Sequence, residues 1–143
     1  GKIKISDFGI CKRCSKPFIS TNISGTPYWM APEIANKELQ YLEVDIWSIG
    51  CLVIEMMEGV PPLFMYTHDE ALQKLQALDL TEIFPSKIHP KFSAFARPFL
   101  DCCLVIKRNT RASASQLLIH PFLMIRSTPQ DLVDLTKSGT ALL

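Results

Sequence analysis

No stretch of this 143-residue sequence is long and apolar enough to suggest a membrane helix. The most apolar run, Ile46 to Ile54, is interrupted by Ser48 and Gly50 and stopped by Glu55, whereas a span needs ~18 apolar residues. An excess of either charge is missing too. Fifteen Lys plus Arg against fourteen Asp plus Glu leave +1, too even a balance for a protein that tracks nucleic-acid phosphates or an anionic membrane surface, so neither partner is expected. The N-terminus, Gly1-Lys2-Ile3-Lys4-Ile5-Ser6-Asp7, lacks the apolar core of a signal peptide and an initiating Met, and the chain is expected to begin partway through a longer protein. Five cysteines (Cys11, Cys14, Cys51, Cys102, Cys103) are an odd number at uneven spacing, which suits reduced thiols in a cytoplasmic or nuclear protein rather than a disulfide framework. Cys11-x-x-Cys14 lacks the second Cys or His pair of a zinc site, and the sequon Asn22-Ile23-Ser24 lacks any secretory context. No internal repeat is visible.

What is present suffices for one core: the length is that of a typical domain, and 48% of the residues are hydrophobic. Lys2 to Ser6 alternates polar and apolar residues as a strand does and delivers Asp7 to a bend at Gly9. Residues 12 to 27 show no period and read as a long irregular loop. From Asp45 to Glu58 the pattern is apolar on nearly every face and ends at Gly59-Val60-Pro61-Pro62, which predicts a helix buried in the middle of a helical core. Thr67-x-x-Glu70 and Ser113-x-x-Gln116 are capping boxes predicting helices over 68–78 and 114–119, with His120-Pro121 as the stop of the second. Phe92, Phe95, Phe99, Leu100, Cys103 and Leu104 have helical spacing, but Pro98 requires that helix either to start near Arg97 or to kink. Thr128-Pro129 onward offers one weak helix before a frayed end.

Four elements occur in order: Asp7-Phe8-Gly9; Gly25-Thr26-Pro27-Tyr28-Trp29-Met30-Ala31-Pro32-Glu33; Asp45-Ile46-Trp47-Ser48-Ile49-Gly50; and Arg111 with His120-Pro121-Phe122-Leu123. Together they resemble the C-terminal lobe of a eukaryotic protein kinase over residues 1 to about 123. The fold class implied is mainly α, from an α+β parent fold, running from the metal-aspartate strand through the last lobe helix. The domain implied is 1–123, with an activation segment over 7–33 and a tail over 124–143.

The resemblance also implies roles. Asp7 matches the aspartate that holds Mg²⁺ against the ATP phosphates, Phe8 the aromatic that separates active from inactive states, and Gly9 the flexible third residue of the same motif. Thr26 matches a substrate-positioning hydroxyl, and Pro27, Tyr28 and Trp29 the pocket for the residue after the acceptor; this run resembles serine/threonine rather than tyrosine kinases. Glu33 and Arg111 match a buried structural pair, and Asp45 an aspartate that braces the catalytic loop from behind. Lys12 matches a position that clamps a phosphorylated loop. The phosphorylated Thr of related kinases stands three residues before the Gly, where this sequence has Asn22, so Thr21 is the first regulatory candidate, followed by Ser24.

Ile3 to Ile10 and Val53 to Met56 resemble the sterile-kinase group, with features of both MAP kinase kinase kinases and PAK-like kinases. The function implied is transfer of the ATP γ-phosphate to Ser or Thr of protein substrates in a MAP-kinase-type cascade, under an upstream kinase or regulator. The Gly-rich loop, the phosphate-holding Lys, the general-base Asp and the metal-binding Asn precede Asp7 in family order, so this segment alone is expected to be inactive. Lys107-Arg108 stands where the family usually has an acidic residue and Pro. The rival reading is a pseudokinase or truncated docking module, against which Asp7 and Thr26 both argue.

Overall fold

The computed structural model describes residues 4–13, 15–78, 81, 83, 94–124 and 128–137. Their order is β1 (Phe18–Ile19), a 3₁₀ turn (Pro27–Trp29), α1 (Pro32–Ala35), β2 (Leu39–Gln40), α2 (Glu43–Glu58), α3 (His68–Gln76), α4 (Ala96–Cys103), a second 3₁₀ turn (Arg108–Thr110), α5 (Ala114–Leu117), α6 (Pro121–Met124) and α7 (Pro129–Lys137). The mainly helical class expected from the sequence is the one observed. None of the described helices is long and apolar enough to cross a membrane.

Helix α2 is the axis. It ends where Gly59 enters the left-handed region (φ 81°) and returns its N–H to the Glu55 carbonyl at 2.8 Å, a conformation that costs glycine little. Ile46, Trp47, Gly50, Cys51, Val53 and Ile54 are buried, but Ile49, Leu52 and Met56 are 40%, 47% and 68% exposed. The expectation of burial on every face is therefore corrected. These three residues lie on one helical stripe, and an apolar stripe can be buried only where a partner packs on it.

The buried side of α2 meets α4 at Gly50. A Cβ there would stand 2.8 Å from Leu104 Cδ2 and 2.9 Å from Cys103 Cβ, so the helices approach as closely as backbone and side chain allow. Cys51 and Cys103 are buried at this crossing. Loss of hydration pushes both thiols up to about 12, so they stay protonated and act as small apolar fillers. Pro98 is the third residue of α4, within the first turn whose N–H groups have no intrahelical acceptor, so it costs the helix nothing. Phe92 lies outside the described residues.

Both capping boxes form. Thr67 accepts from the Glu70 N–H and Glu70 from the Thr67 N–H; Ser113 and Gln116 are paired in the same way. The Thr67 backbone and hydroxyl hydrogen bonds hold the Glu70 carboxyl below the usual carboxylate range. Because the folded value is depressed, this contribution to α3 is present above the unfolded carboxylate value and is lost as pH falls through the folded one. α5 stops earlier than the sequence suggests, and His120-Pro121 is a junction rather than an end. Pro121 opens α6 at the position where proline lacks no needed donor, and Phe99 of α4 packs on Phe122 (centroids 4.7 Å) and His120 (5.3 Å).

The N-terminal strand is not found where it is described. Lys4 to Ser6 are irregular and exposed, and Lys2 and Ile3 lie outside the described residues. The stretch carrying Lys12 is likewise irregular, because alternation makes a strand only when another edge supplies hydrogen bonds. Pairing occurs instead between β1 and β2, antiparallel, with Phe18 opposite Gln40 and Ile19 opposite Leu39. A two-residue strand thus interrupts the loop read over 12–27.

Gly50→Ala should lower stability in urea denaturation by about 1–3 kcal/mol through overpacking against α4, although Ala favours an isolated helix by about 1 kcal/mol. A stabilised variant would contradict the close crossing.

Candidate functional site

Two prolines frame the central segment. Pro27 opens the 3₁₀ turn and Pro32 opens α1, each fixing φ where a helical turn begins and where its missing N–H leaves nothing unpaired. The turn closes through Trp29 N–H to Thr26 C=O (3.4 Å) and Met30 N–H to Pro27 C=O (3.0 Å). Three side-chain bonds then pin it to α2 and to the linker before α3. The Tyr28 hydroxyl donates to the Tyr66 carbonyl (2.8 Å), Trp29 Nε1 donates to Glu55 Oε2 (2.9 Å), and Ser48 Oγ donates to the Trp29 carbonyl (2.9 Å). Pro27 is buried, Tyr28 and Trp29 are half-buried, and Thr26 at the head of the turn is exposed.

Immediately after the turn the chain buries Met30, Ala31, Pro32 and Glu33. Glu33 receives Arg111 in a two-pronged pair, Nη1 to Oε1 at 2.7 Å and Nη2 to Oε2 at 2.9 Å, with side-chain exposures of 3% and 0%. Arg111 also donates from Nε to the Val105 carbonyl (3.0 Å) and from Nη1 to the Glu43 carbonyl (2.9 Å), and its guanidinium lies 5.1 Å from the centre of the Trp47 ring. Each guanidinium nitrogen therefore has an acceptor, which is what a buried charge requires. The pair forms part of the wall of a groove of about 630 Å³, also lined by Tyr41, Ile106 and Arg108. Neither Asp7 nor Thr26 lines that groove.

The Asp7-Phe8-Gly9 turn is exposed throughout. Asp7 takes a left-handed φ of 61°, and Cys11 N–H closes onto the Phe8 carbonyl at 3.1 Å. A Cβ on Gly9 would stand 3.5 Å from Asp7 Oδ1, so glycine keeps that side of the carboxylate open. An open carboxylate suits Mg²⁺, a hard cation that takes oxygen ligands and keeps several waters while it bridges phosphates. Among the described residues no group of three or more His, Cys, Asp or Glu is placed to hold a metal by itself. Cys14 of the Cys11-x-x-Cys14 pair lies outside the described residues.

The remaining candidates are spread around this frame. A Cβ on Gly25 would meet Met30 Cε at 3.8 Å and Ile10 Cδ1 at 3.9 Å, so the segment after Asp7 returns to the head of the turn. Lys12 Nζ lies 4.2 Å from the centre of the Phe18 ring, Thr21 and Ser24 are exposed on the intervening loop, and Asp45 is exposed on the first turn of α2. Sequence reasoning missed Glu55, Ser48 and Tyr66 as anchors of the turn. Ser48 and Glu55 are visible as polar breaks in an apolar helix, but only their placement against Trp29 gives them partners. Tyr66 contributes a backbone carbonyl, which no side-chain pattern encodes.

The protein kinase domain family matches residues 1–123. Serine/threonine-protein kinase PAK 5 of Rattus norvegicus is 40% identical over 140 residues, 96% of this chain and 19% of the relative. PAK 4 of Homo sapiens is 40% identical over 140 residues, 97% of this chain and 23% of the relative. PAK 1 of Mus musculus is 39% identical over 141 residues, 97% of this chain and 25% of the relative. The chain thus spans between about a fifth and a quarter of the length of these curated relatives.

Removing either partner of the buried pair strands the other charge, so Glu33→Ala and Arg111→Ala should each cost about 3–5 kcal/mol in chemical denaturation. The double variant should lose less than the sum. Additive losses would mean that the two charges do not stabilise one another.

Proposed function

The chain belongs to the protein kinase domain family, and on that premise we propose that residues 1–123 are the C-terminal lobe part of a serine/threonine kinase domain of PAK-like type, with an activation segment over 7–33 and a tail over 124–143. The observation that carries this reading is the Pro27–Trp29 turn, held by Tyr66, Glu55 and Ser48 while Thr26 at its head stays exposed. A protein acceptor needs such a platform, since phosphoryl transfer is mostly positioning and charge stabilisation.

In this reading Asp7 would hold Mg²⁺ for ATP, a cation that would supply charge neutralisation for phosphoryl transfer. Phe8, 64% exposed here, is proposed as the aromatic whose packing separates active from inactive states, and Gly9 as the residue that allows that turn to flip. The Thr26 hydroxyl orients the acceptor Ser or Thr, while Pro27, Tyr28 and Trp29 receive the residue after it. Glu33 and Arg111 fix the end of the segment, and Asp45 braces the catalytic loop. The substrates are proteins with Ser or Thr acceptors, and a MAP-kinase-type cascade is the proposed setting. The 143 residues contain no Gly-rich phosphate loop and no catalytic-loop motif, so the segment by itself is proposed to transfer no phosphate.

In the complete protein carrying this segment, phosphoamino-acid analysis should give phosphoserine or phosphothreonine, and Asp7→Ala should abolish transfer. Phosphotyrosine as the main product would overturn the substrate class. Activity that survives Asp7→Ala would overturn the role of Asp7.

Regulation is proposed at Thr21, with Ser24 second. A phosphate adds about −1.5 to −2 charge and three strong acceptor oxygens, enough to draw Lys12 from the Phe18 ring and order the loop under an upstream kinase. Phosphosite mapping of the active protein should find Thr21, and Thr21→Ala should slow turnover. Full activity in both Thr21→Ala and Ser24→Ala, with no phosphate between Ser15 and Thr26, would place control elsewhere.

A further inference from the structure

The side-chain hydrogen bond of Tyr28 and its ring contacts outside the turn go to one short stretch of chain. Its hydroxyl donates to the Tyr66 carbonyl, and its ring lies 6.1 Å from Phe64 and 5.2 Å from His68. The linker before α3 is two successive turns, Phe64 N–H to Pro61 C=O at 3.3 Å and Tyr66 N–H to Leu63 C=O at 3.0 Å, with Leu63 at a φ of 61°. Pro61, Pro62 and Leu63 at the near end of this linker are buried, and its exposed far end adjoins the Tyr66 carbonyl. That end is Thr67, whose N–H donates to Glu70 Oε2 at 2.9 Å and whose hydroxyl donates to the same oxygen at 2.8 Å.

The Tyr66 carbonyl and the Thr67 N–H belong to one planar peptide unit. Tyr28 therefore holds its oxygen while Glu70 holds its hydrogen, and the plane cannot turn without breaking one of the two bonds. Hydrogen bonds in series through one amide also strengthen each other. Helix α3 is in turn fixed to the segment that follows the substrate turn. Ala71 and Leu75 are buried, and Gln76 Nε2 donates to the carbonyl of Ala35 at the end of α1 (3.1 Å). Thr67 and Glu70 themselves are exposed, so their side chains act through these bonds and not through core packing.

We propose that the Glu70–peptide–Tyr28 clamp sets the orientation of Tyr28 in the substrate pocket, which makes Glu70 a positioning residue for protein substrates. This rests on the reading of Pro27–Trp29 as that pocket.

The test uses the complete kinase and a peptide substrate. Glu70→Ala should raise the peptide KM about fivefold, the size of one net hydrogen bond, with the KM for ATP unchanged. Glu70→Gln, which keeps an acceptor for the cap, should restore most of the loss. Tyr28→Phe should give a similar rise, and the double variant should be no worse than either single one. Gln116→Ala removes the matching contact from the α5 cap, where Gln116 Oε1 accepts from Ser113 N–H at 2.8 Å, and should leave the peptide KM unchanged.

An unchanged peptide KM in Glu70→Ala, an equal rise in Gln116→Ala, or additive losses in the double variant would overturn the clamp. A separate readout does not depend on activity: Tyr28→Phe should speed hydrogen exchange at the Thr67 amide, a group that Tyr28 does not itself bond, and an unchanged rate overturns the proposal. If the parent transfers no phosphate to Ser or Thr, the functional reading fails while the exchange measurement still decides whether the clamp exists.

Discussion

A carboxylate and a guanidinium placed in the interior need every donor and acceptor answered, because their hydration has been given up. Arg111 finds an acceptor for each guanidinium nitrogen, two of these acceptors on Glu33 across 78 positions of sequence, and the answer draws three separate regions together. Glu33 belongs to α1, directly behind the turn. The Glu43 carbonyl belongs to the start of α2, and the Val105 carbonyl follows α4. Moving any one of them would leave part of a buried charge unpaired. The pair therefore acts more as a register pin than as a source of net stability, since an apolar replacement of the same volume can be equally stable.

Helix α2 turns that pin into a platform. One side of it is core, packed so closely on α4 that Gly50 has no room for a Cβ. Ser48 and Glu55 reach from the same helix to the backbone and the indole of Trp29, so the helix that fills the core also holds the turn. Ser48 Oγ lies 3.3 Å from the Val44 carbonyl as well, a local contact that keeps the hydroxyl near the helix. Rigidity in the core is thus passed to an exposed loop through a few directional bonds.

Much of this was legible in the residues. The helix over 45–58 and both capping boxes follow from hydrogen bonds that begin and end within one or two turns, which sequence patterns record directly, whereas Pro98 left a first-turn start and a kink both open until α4 was seen to begin at Ala96. The end of α2 at Gly59 was equally readable. The N-terminal strand was not, because alternation at Lys4 to Ser6 states a preference that only a neighbouring strand can realise. The same limit applies to β1 and β2, two residues each, whose pairing joins Phe18 to Gln40 with no sign in either segment alone. α5 does end before His120-Pro121, and what the sequence did not show is that the same proline opens α6, whose Phe122 packs on Phe99.

The sequence by itself determined the family and the chemistry available to it: the ordered motifs, the aspartate ahead of a bend at Gly9, the Thr-Pro-Tyr-Trp run, and a charged residue at each of positions 33 and 111. These depend on residue type and spacing, and both are properties of the chain before it folds. Only the tertiary structure decided which backbone groups answer Arg111, which polar atoms of α2 reach Trp29, and that the peptide between Tyr66 and Thr67 is held from both sides. The reason is that a carbonyl or an amide is the same in every residue except proline, so its partner is chosen by where folding places it and never by its name in the sequence.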